Sequence, residues 1–274
     1  MTRLVALALA DEEALFGGKS VQLGACLRGG LPVPPGWALS VEFVEAIVHG
    51  EASALDELES LLQGKSEPYA VRSSAVGEDA VGASFAGQHL TELNRRGLRP
   101  VVDAIGTIWN SGRSASASAY RERLGLLGAA RMAVTLQKMV FPDCAGVMFT
   151  RHPVTSADEI VIEATWGLGE AIVEGLVIPD RFRLSKQGQL LEAQAGIKDI
   201  CVHALPDGGI EQLPVQDTAR VHDACLDAAQ LAQLVQLARL CEEHFGPARD
   251  IEWGMQGGEL FLLQCRAITS GNTS

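Results

Sequence analysis

Short apolar runs alternate along this chain with stretches of helical period, and the alternation predicts a mixed α/β architecture. Residues 4–10 are apolar and predict a first strand, and Ser20 to Arg28 predicts a helix ended by Gly29-Gly30. Leu31-Pro32-Val33-Pro34-Pro35-Gly36-Trp37 predicts an extended connection, because each proline disfavours helix at the residue before it. Helices are expected over 40–49 and 51–63, then a short strand at Tyr69-Ala70-Val71. From Arg72 to Gln88 no apolar period is usable, and Gly and Ser dominate. Such a loop supplies N–H and hydroxyl groups to a ligand and has glycines that let it close, although a bland surface loop has the same composition. Leu90 to Leu93 resumes a strand, 100–127 is helical, and Ala133 to Val140 is β-rich up to Phe141-Pro142, which marks a hinge between two lobes.

The second half continues the alternation. Strands are expected at 145–150 and 160–164, and Trp166-Gly167-Leu168-Gly169-Glu170 opens a helix that ends at Gly175. A hairpin is expected between 181–184 and 189–193 around Lys186-Gln187-Gly188. One long helical region over 217–245 places Leu226, Leu231, Leu234, Leu237 and Leu240 at core spacing. The predicted lobes are residues 1–136 and 137–274.

The last forty residues carry the most chemistry. Arg249-Asp250-Ile251-Glu252-Trp253 and Leu260-Phe261-Leu262-Leu263-Gln264-Cys265-Arg266 flank Gly257-Gly258 and predict a β-hairpin. Alternate strand residues share a face, so Asp250 goes with Glu252 and Gln264 with Arg266. An unbroken two-residue turn would oppose Glu252 to Leu263. A longer loop or a bulge pairs Glu252 with Gln264 and Asp250 with Arg266, which is the expected register. That face then holds two carboxylates, an amide oxygen and a guanidinium, a set suited to Mg²⁺ and to the phosphates it bridges. The plainer alternative is a solvent-facing hairpin with one salt bridge.

Charge and cysteines narrow the field. A net charge of −12 argues against nucleic acid or an anionic membrane as the partner, so a phosphate ligand has to be held by a few placed cations and backbone amides. Six scattered cysteines without a C-x-x-C spacing predict reduced thiols and a cytoplasmic setting. Gly17-Gly18-Lys19-Ser20 resembles the end of a Walker A loop, but Glu13 stands where the first glycine is required and the match fails. A glycine turn, a lysine and a helix start still make an anion site, against the alternative of a solvated lysine. The strand ending at Val140 can offer backbone groups to an adenine edge, though most such strands are core.

Taken in order, these segments resemble the N-terminal nucleotide-binding domain of the family of phosphoenolpyruvate synthase, pyruvate phosphate dikinase and rifampin phosphotransferase. The matching stretches are Gly17 to Ser20, Val33 to Gly36, Val71 to Ser74, Ala83 to Gln88, Gln137 to Val140, Gly146 to Thr155, Trp166 to Glu170, Asp250 to Trp253 and Leu263 to Arg266. The resemblance implies a two-lobed, ATP-grasp-like α/β fold with mixed or antiparallel sheets. It implies that Lys19 and Arg72 contact ATP phosphates, that Gly87 and Gln88 belong to the loop closing over them, and that Gln137, Met139 and Val140 hold adenine and ribose. Glu252 and Gln264 ligate Mg²⁺ in that scheme, Asp250 supports them and Arg266 binds phosphate; Lys19, Arg72 and Arg266 are the catalytic cations. Members of that family phosphorylate a histidine on a swivelling domain, and no stretch of these 274 residues resembles that phosphocarrier segment. The expectation is therefore an ATP-dependent phosphotransferase component whose partner protein or domain supplies the histidine. A self-contained small-molecule kinase and a non-catalytic ATP-binding module are the alternatives. His152 is the histidine that falls inside a matched stretch; a local phosphoryl acceptor and a solvated loop residue are its two readings, and the solvated position is the one expected.

Overall fold

The computed structural model describes residues 3–77, 90–115 and 130–268, and these form two units. The first comprises residues 1–28, 35–139 and 206–209, and the second residues 29–34, 140–205 and 210–274.

The first unit is built on a five-stranded antiparallel sheet of order β1-β2-β5-β3-β4, where β1 is Leu4–Ala6, β2 Gly36–Leu39, β3 Tyr69–Ala75, β4 Thr91–Arg95 and β5 Met132–Lys138. Its helices are α1 (Glu13–Arg28), α2 (Val41–Val48), α3 (Ala52–Leu62) and α4 (Leu98–Ser111). Ser40 starts α2, its hydroxyl accepting from Phe43 N at 3.2 Å. The period of two in β3 and β5 sorts their side chains. Tyr69, Val71, Val134 and Leu136 join Phe43, Ile47, Leu58, Ile105 and Ile108 in a buried core with α2, α3 and α4. Ala70, Arg72, Ser74, Ala133, Thr135 and Gln137 lie on the other face, where α1 packs against β3 and β5.

The second unit holds a six-stranded antiparallel sheet of order β13-β12-β6-β7-β8-β9, with β6 Cys144–Phe149, β7 Glu159–Trp166, β8 Asp180–Ser185, β9 Leu190–Gln194, β12 Arg249–Gln256 and β13 Glu259–Ala267. A separate hairpin joins β10 (Ile200–Ala204) to β11 (Ile210–Pro214), and α5 (Glu170–Val173), α6 (Thr218–His222) and α7 (Ala228–Phe245) complete it. Met148, Ile162, Phe182, Ile251 and Cys265 are in register across one face and buried, and α7 packs against β12 and β13. Trp253 is fully buried; side chains of this kind contribute roughly 1.5–3 kcal/mol each by leaving water. Asp180 and Lys198, both fully buried, pair at 2.5 Å, and the carboxylate also accepts from Gly196 N and Cys225 N.

Several boundaries depart from the sequence pattern. The first strand stops at Ala6 and gives way to a 3₁₀ turn at Leu7–Leu9. The helix expected from Ser20 begins at Glu13 and is kinked at Gly17 (φ 72°, ψ 167°). Gly36 and Trp37, expected in a connection, open β2, whose partner strands β1 and β5 supply the bonds that the prolines before it cannot. Arg72 to Ala75, expected in a loop, continue β3 and are buried. The single helix expected over 217–245 is two, because Asp227 caps α7 with a reciprocal Asp227–Gln230 box and ends the run before it. Leu226 is buried between them, while Leu240 is only half-buried. Residues 200–214 carried no expectation and form the β10–β11 hairpin.

Candidate functional site

In the first unit, Arg72 is opposite Thr135, and Gln137 lies one strand pair further along the α1 face of the sheet. Arg72 Nη1 donates to Gln137 Oε1 at 3.4 Å, and both side chains are buried. Lys19 lies on α1, which packs on that same face, and is 5% exposed, so the solvated lysine weighed above is excluded. Three residues 118 positions apart in the chain, Lys19, Arg72 and Gln137, are thereby carried by elements in direct contact. Met139 follows β5, and its N–H is taken up by Pro68 O at 3.0 Å. Val140 begins the second unit and is buried, as is Met139. Gly87 and Gln88 lie outside the described residues.

In the second unit the hairpin takes the expected register. Gly257 and Gly258, with φ of 59° and 83°, make a two-residue turn of the kind that strand twist favours. A bulge beside Glu252 and Trp253 then sets Leu263 out of the ladder, so that Glu252 faces Gln264 and Asp250 faces Arg266. Arg266 Nε and Nη2 both donate to Asp250 Oδ2, at 2.9 and 2.8 Å. Burial pushes the Asp250 carboxyl above its ordinary value, against the pull of Arg266, with Glu252 beside it adding to the rise.

The polar row continues past the hairpin. Strand register carries the face from Gln264 and Glu252 through Val147 to Glu163 and Arg181. Glu163 and Arg181 were missed in the sequence. The available signal was a glutamate at the end of Ile160-Val161-Ile162, since a carboxylate in a central strand is costly unless something engages it. Next to them, Arg183 grips Glu159 with two bonds of 3.0 and 2.9 Å.

His152 is not a solvated loop residue: it is 9% exposed, in the connection from β6 to β7. Its Nδ1 accepts from Val154 N and Thr155 N, each at 3.2 Å, and its Nε2 lies 3.4 Å from Arg181 Nη2 and 3.9 Å from Glu159 Oε1. Held at Nδ1 by two backbone amides, His152 organises the loop that carries it. Elsewhere in this unit a surface cavity of about 400 Å³ is lined by Trp166, Cys201, His203 and Arg220, and it holds none of the predicted residues. Among the described residues no helix is long and apolar enough to cross a membrane.

The molecule is thus an α/β protein of two units with antiparallel sheets, one unit carrying buried cations on a helix-covered strand face, the other a carboxylate–amide pair beside a carboxylate–guanidinium pair. Residues 39–274 match the family described as the pyruvate phosphate dikinase AMP/ATP-binding domain, and the chain belongs to that family. It is 33% identical over 307 residues to a probable phosphoenolpyruvate synthase of Methanothermobacter thermautotrophicus, covering 95% of this chain and 45% of that protein. It is 33% identical over 303 residues to a rifampicin phosphotransferase of Streptomyces sviceus (95% and 35%), and 35% identical over 283 residues to the prodigiosin synthesizing transferase PigC of Serratia marcescens (93% and 32%). The chain therefore spans less than half the length of these relatives. Among solved structures, that of the ATP-grasp ligase PsnB with a minimal precursor covers 97% of this chain and 55% of that one at 13% identity, with a TM-score of 0.31, too loose a likeness to argue from.

Proposed function

We propose that this chain is the ATP-binding component of a dikinase-type phosphotransferase with an ATP-grasp-like fold. It passes a phosphoryl group from Mg-ATP to a histidine on a separate domain or subunit, from which a small acceptor receives it. The observation that carries this is the double pairing on one sheet face, Glu252 with Gln264 and Asp250 with Arg266. Phosphoryl transfer asks for positioning and charge compensation more than for a protein nucleophile.

In this proposal Lys19 and Arg72 neutralise phosphate oxygens, and Gln137, held by Arg72, presents its amide toward the base and ribose together with Met139 and Val140. Gly87 and Gln88 belong to the closing loop. Glu252 and Gln264 are two hard oxygen donors from facing strands. One carboxylate and one amide oxygen suit Mg²⁺, which keeps water and phosphate oxygens in its shell. The metal, when bound, supplies charge neutralisation of the phosphates. Arg266 contacts a phosphate while Asp250 fixes its guanidinium. The relatives named as phosphoenolpyruvate synthase and rifampicin phosphotransferase support an enzyme of this type; its place beside a phosphocarrier partner in the cytoplasm is part of the proposal.

The test is to incubate the chain with Mg-ATP, alone and with candidate phosphocarrier proteins, and to separate AMP from ADP. AMP that appears only with a partner carrying an intact histidine is the expected result, abolished by Glu252→Ala and by Arg266→Ala with folding retained. ADP formed without any partner favours a self-contained kinase, and unchanged nucleotide affinity in both variants refutes the site.

A further inference from the structure

The turn before Lys19 has an unusual cap. Gly17 breaks α1 with φ 72° and ψ 167°, so the helical segment that follows starts at Gly18, with Lys19 and Ser20 as its second and third residues. A helix start is normally capped by the side chain of the residue in Gly17's place, whose oxygen accepts the N–H of the second or third position. Glycine has no such oxygen. Neither could a larger residue stand there: a Cβ on Gly17 would lie 2.1 Å from Ser74 O and 2.6 Å from Ser74 Oγ.

The missing oxygen comes from β3. Ser74 Oγ accepts the N–H of Ser20 at 2.9 Å and donates its own hydrogen to Phe16 O at 2.8 Å, bridging the two sides of the kink. The hydroxyls of Ser20 and Thr135 meet at 2.7 Å, tying the same turn to β5. Ser20, Ser74 and Thr135 are all fully buried. Ser74 is two residues after Arg72 on the same face of β3, and Thr135 is opposite Arg72 and two before Gln137. One hydroxyl network therefore links the turn bearing Lys19 to both strands bearing Arg72 and Gln137.

We propose that Ser74, with Ser20 and Thr135, is a positioning group for phosphate binding: it acts as the helix cap in trans, holding the Lys19 turn at a fixed place relative to Arg72 and Gln137. This rests on the assignment of Lys19 to phosphate made above. Ser74 touches no ligand in this scheme; it acts through the turn.

The experiment measures dissociation constants for Mg-ATP and for adenosine by calorimetry on the full chain, in wild type, Ser74→Ala, Lys19→Ala and the double variant. Since a helix cap is typically worth about 1 kcal/mol, Ser74→Ala should weaken Mg-ATP by roughly fivefold and leave adenosine within about twofold. On top of Lys19→Ala the same change should cost less than about twofold, because the two act as one unit. Equal losses for both ligands, or an undiminished Ser74 effect in the double variant, overturns the positioning role. Weaker Mg-ATP binding in Lys19→Ala with none in Ser74→Ala also overturns it and leaves the phosphate assignment standing. No effect of Lys19→Ala removes the assignment itself. If Ser74→Ala fails to fold, the near-isosteric Thr135→Val takes its place: a loss of about two- to threefold confined to Mg-ATP supports the network, and an unselective loss or none overturns it.

Discussion

Replacing Gly17 by alanine tests how tightly the kink is built. Two costs add. The backbone at φ 72°, ψ 167° belongs to a region that is essentially glycine's alone, worth about 1–3 kcal/mol of strain for any other residue. The new Cβ would also stand 2.1 Å from Ser74 O and 2.4 Å from Ser74 C, both backbone atoms of a central strand, so relief means moving β3 or α1, an overpacking cost of about 1–3 kcal/mol. The sum is about 2–6 kcal/mol, a large share of the roughly 5–15 kcal/mol by which domains are stable. Gly50→Ala is the control within the same unit: it has φ 74° and nothing within 4 Å of its Cβ, so it carries backbone strain alone, about 1–2 kcal/mol. Urea midpoints followed by circular dichroism compare the two. Equal losses, or a Gly17→Ala change under about 0.5 kcal/mol, would mean that the close approach to Ser74 is not a constraint.

Two further expectations concern pH. The hydrogen bonds from Arg183 hold the Glu159 carboxyl below its ordinary 4.5, so the stabilisation is present above about pH 4.5 and lost as pH falls through the lower folded value; Glu159→Gln should flatten the acid limb of a stability profile, and an unaltered limb would refute the pairing. Burial raises the thiols of Cys144, to about 12 from 9.0, and of Cys201 and Cys225. Their contribution is therefore full below about pH 9 and lost as pH climbs toward 12, and native thiols should resist alkylation at neutral pH until urea unfolds the chain; rapid native labelling would contradict it.

Much of this was legible in the residues. Alternation in Asp250-Ile251-Glu252 and Gln264-Cys265-Arg266 was enough to demand a shifted register, which keeps charge off the apolar face; that a bulge and not a longer loop makes the shift was not legible. Helix limits around Ser40 were equally local. What escaped was decided at long range. His152 lies in a polar loop that looks solvated, and its burial depends on Glu159, Arg181 and the loop's own amides. Ser74 could have been suspected as the second residue after Arg72 on one face, but its cap role needs a helix start 54 positions earlier. The β10–β11 hairpin had a readable Pro206-Asp207-Gly208-Gly209 turn between Ile200-Cys201-Val202 and Ile210, a signal passed over.

The strand order β1-β2-β5-β3-β4 bears on how the protein is made. β5 is the last of the five to leave the ribosome, yet it bonds to β2 on one side and β3 on the other. At translation speeds of about 5–20 residues per second, the inner edges of β2 and β3 stay unpaired for several seconds before Lys138 exists. During that interval the nascent chain presents open strand edges to chaperones and to its neighbours on a polysome, and the buried hydroxyls around Arg72 close only once β5 has been made.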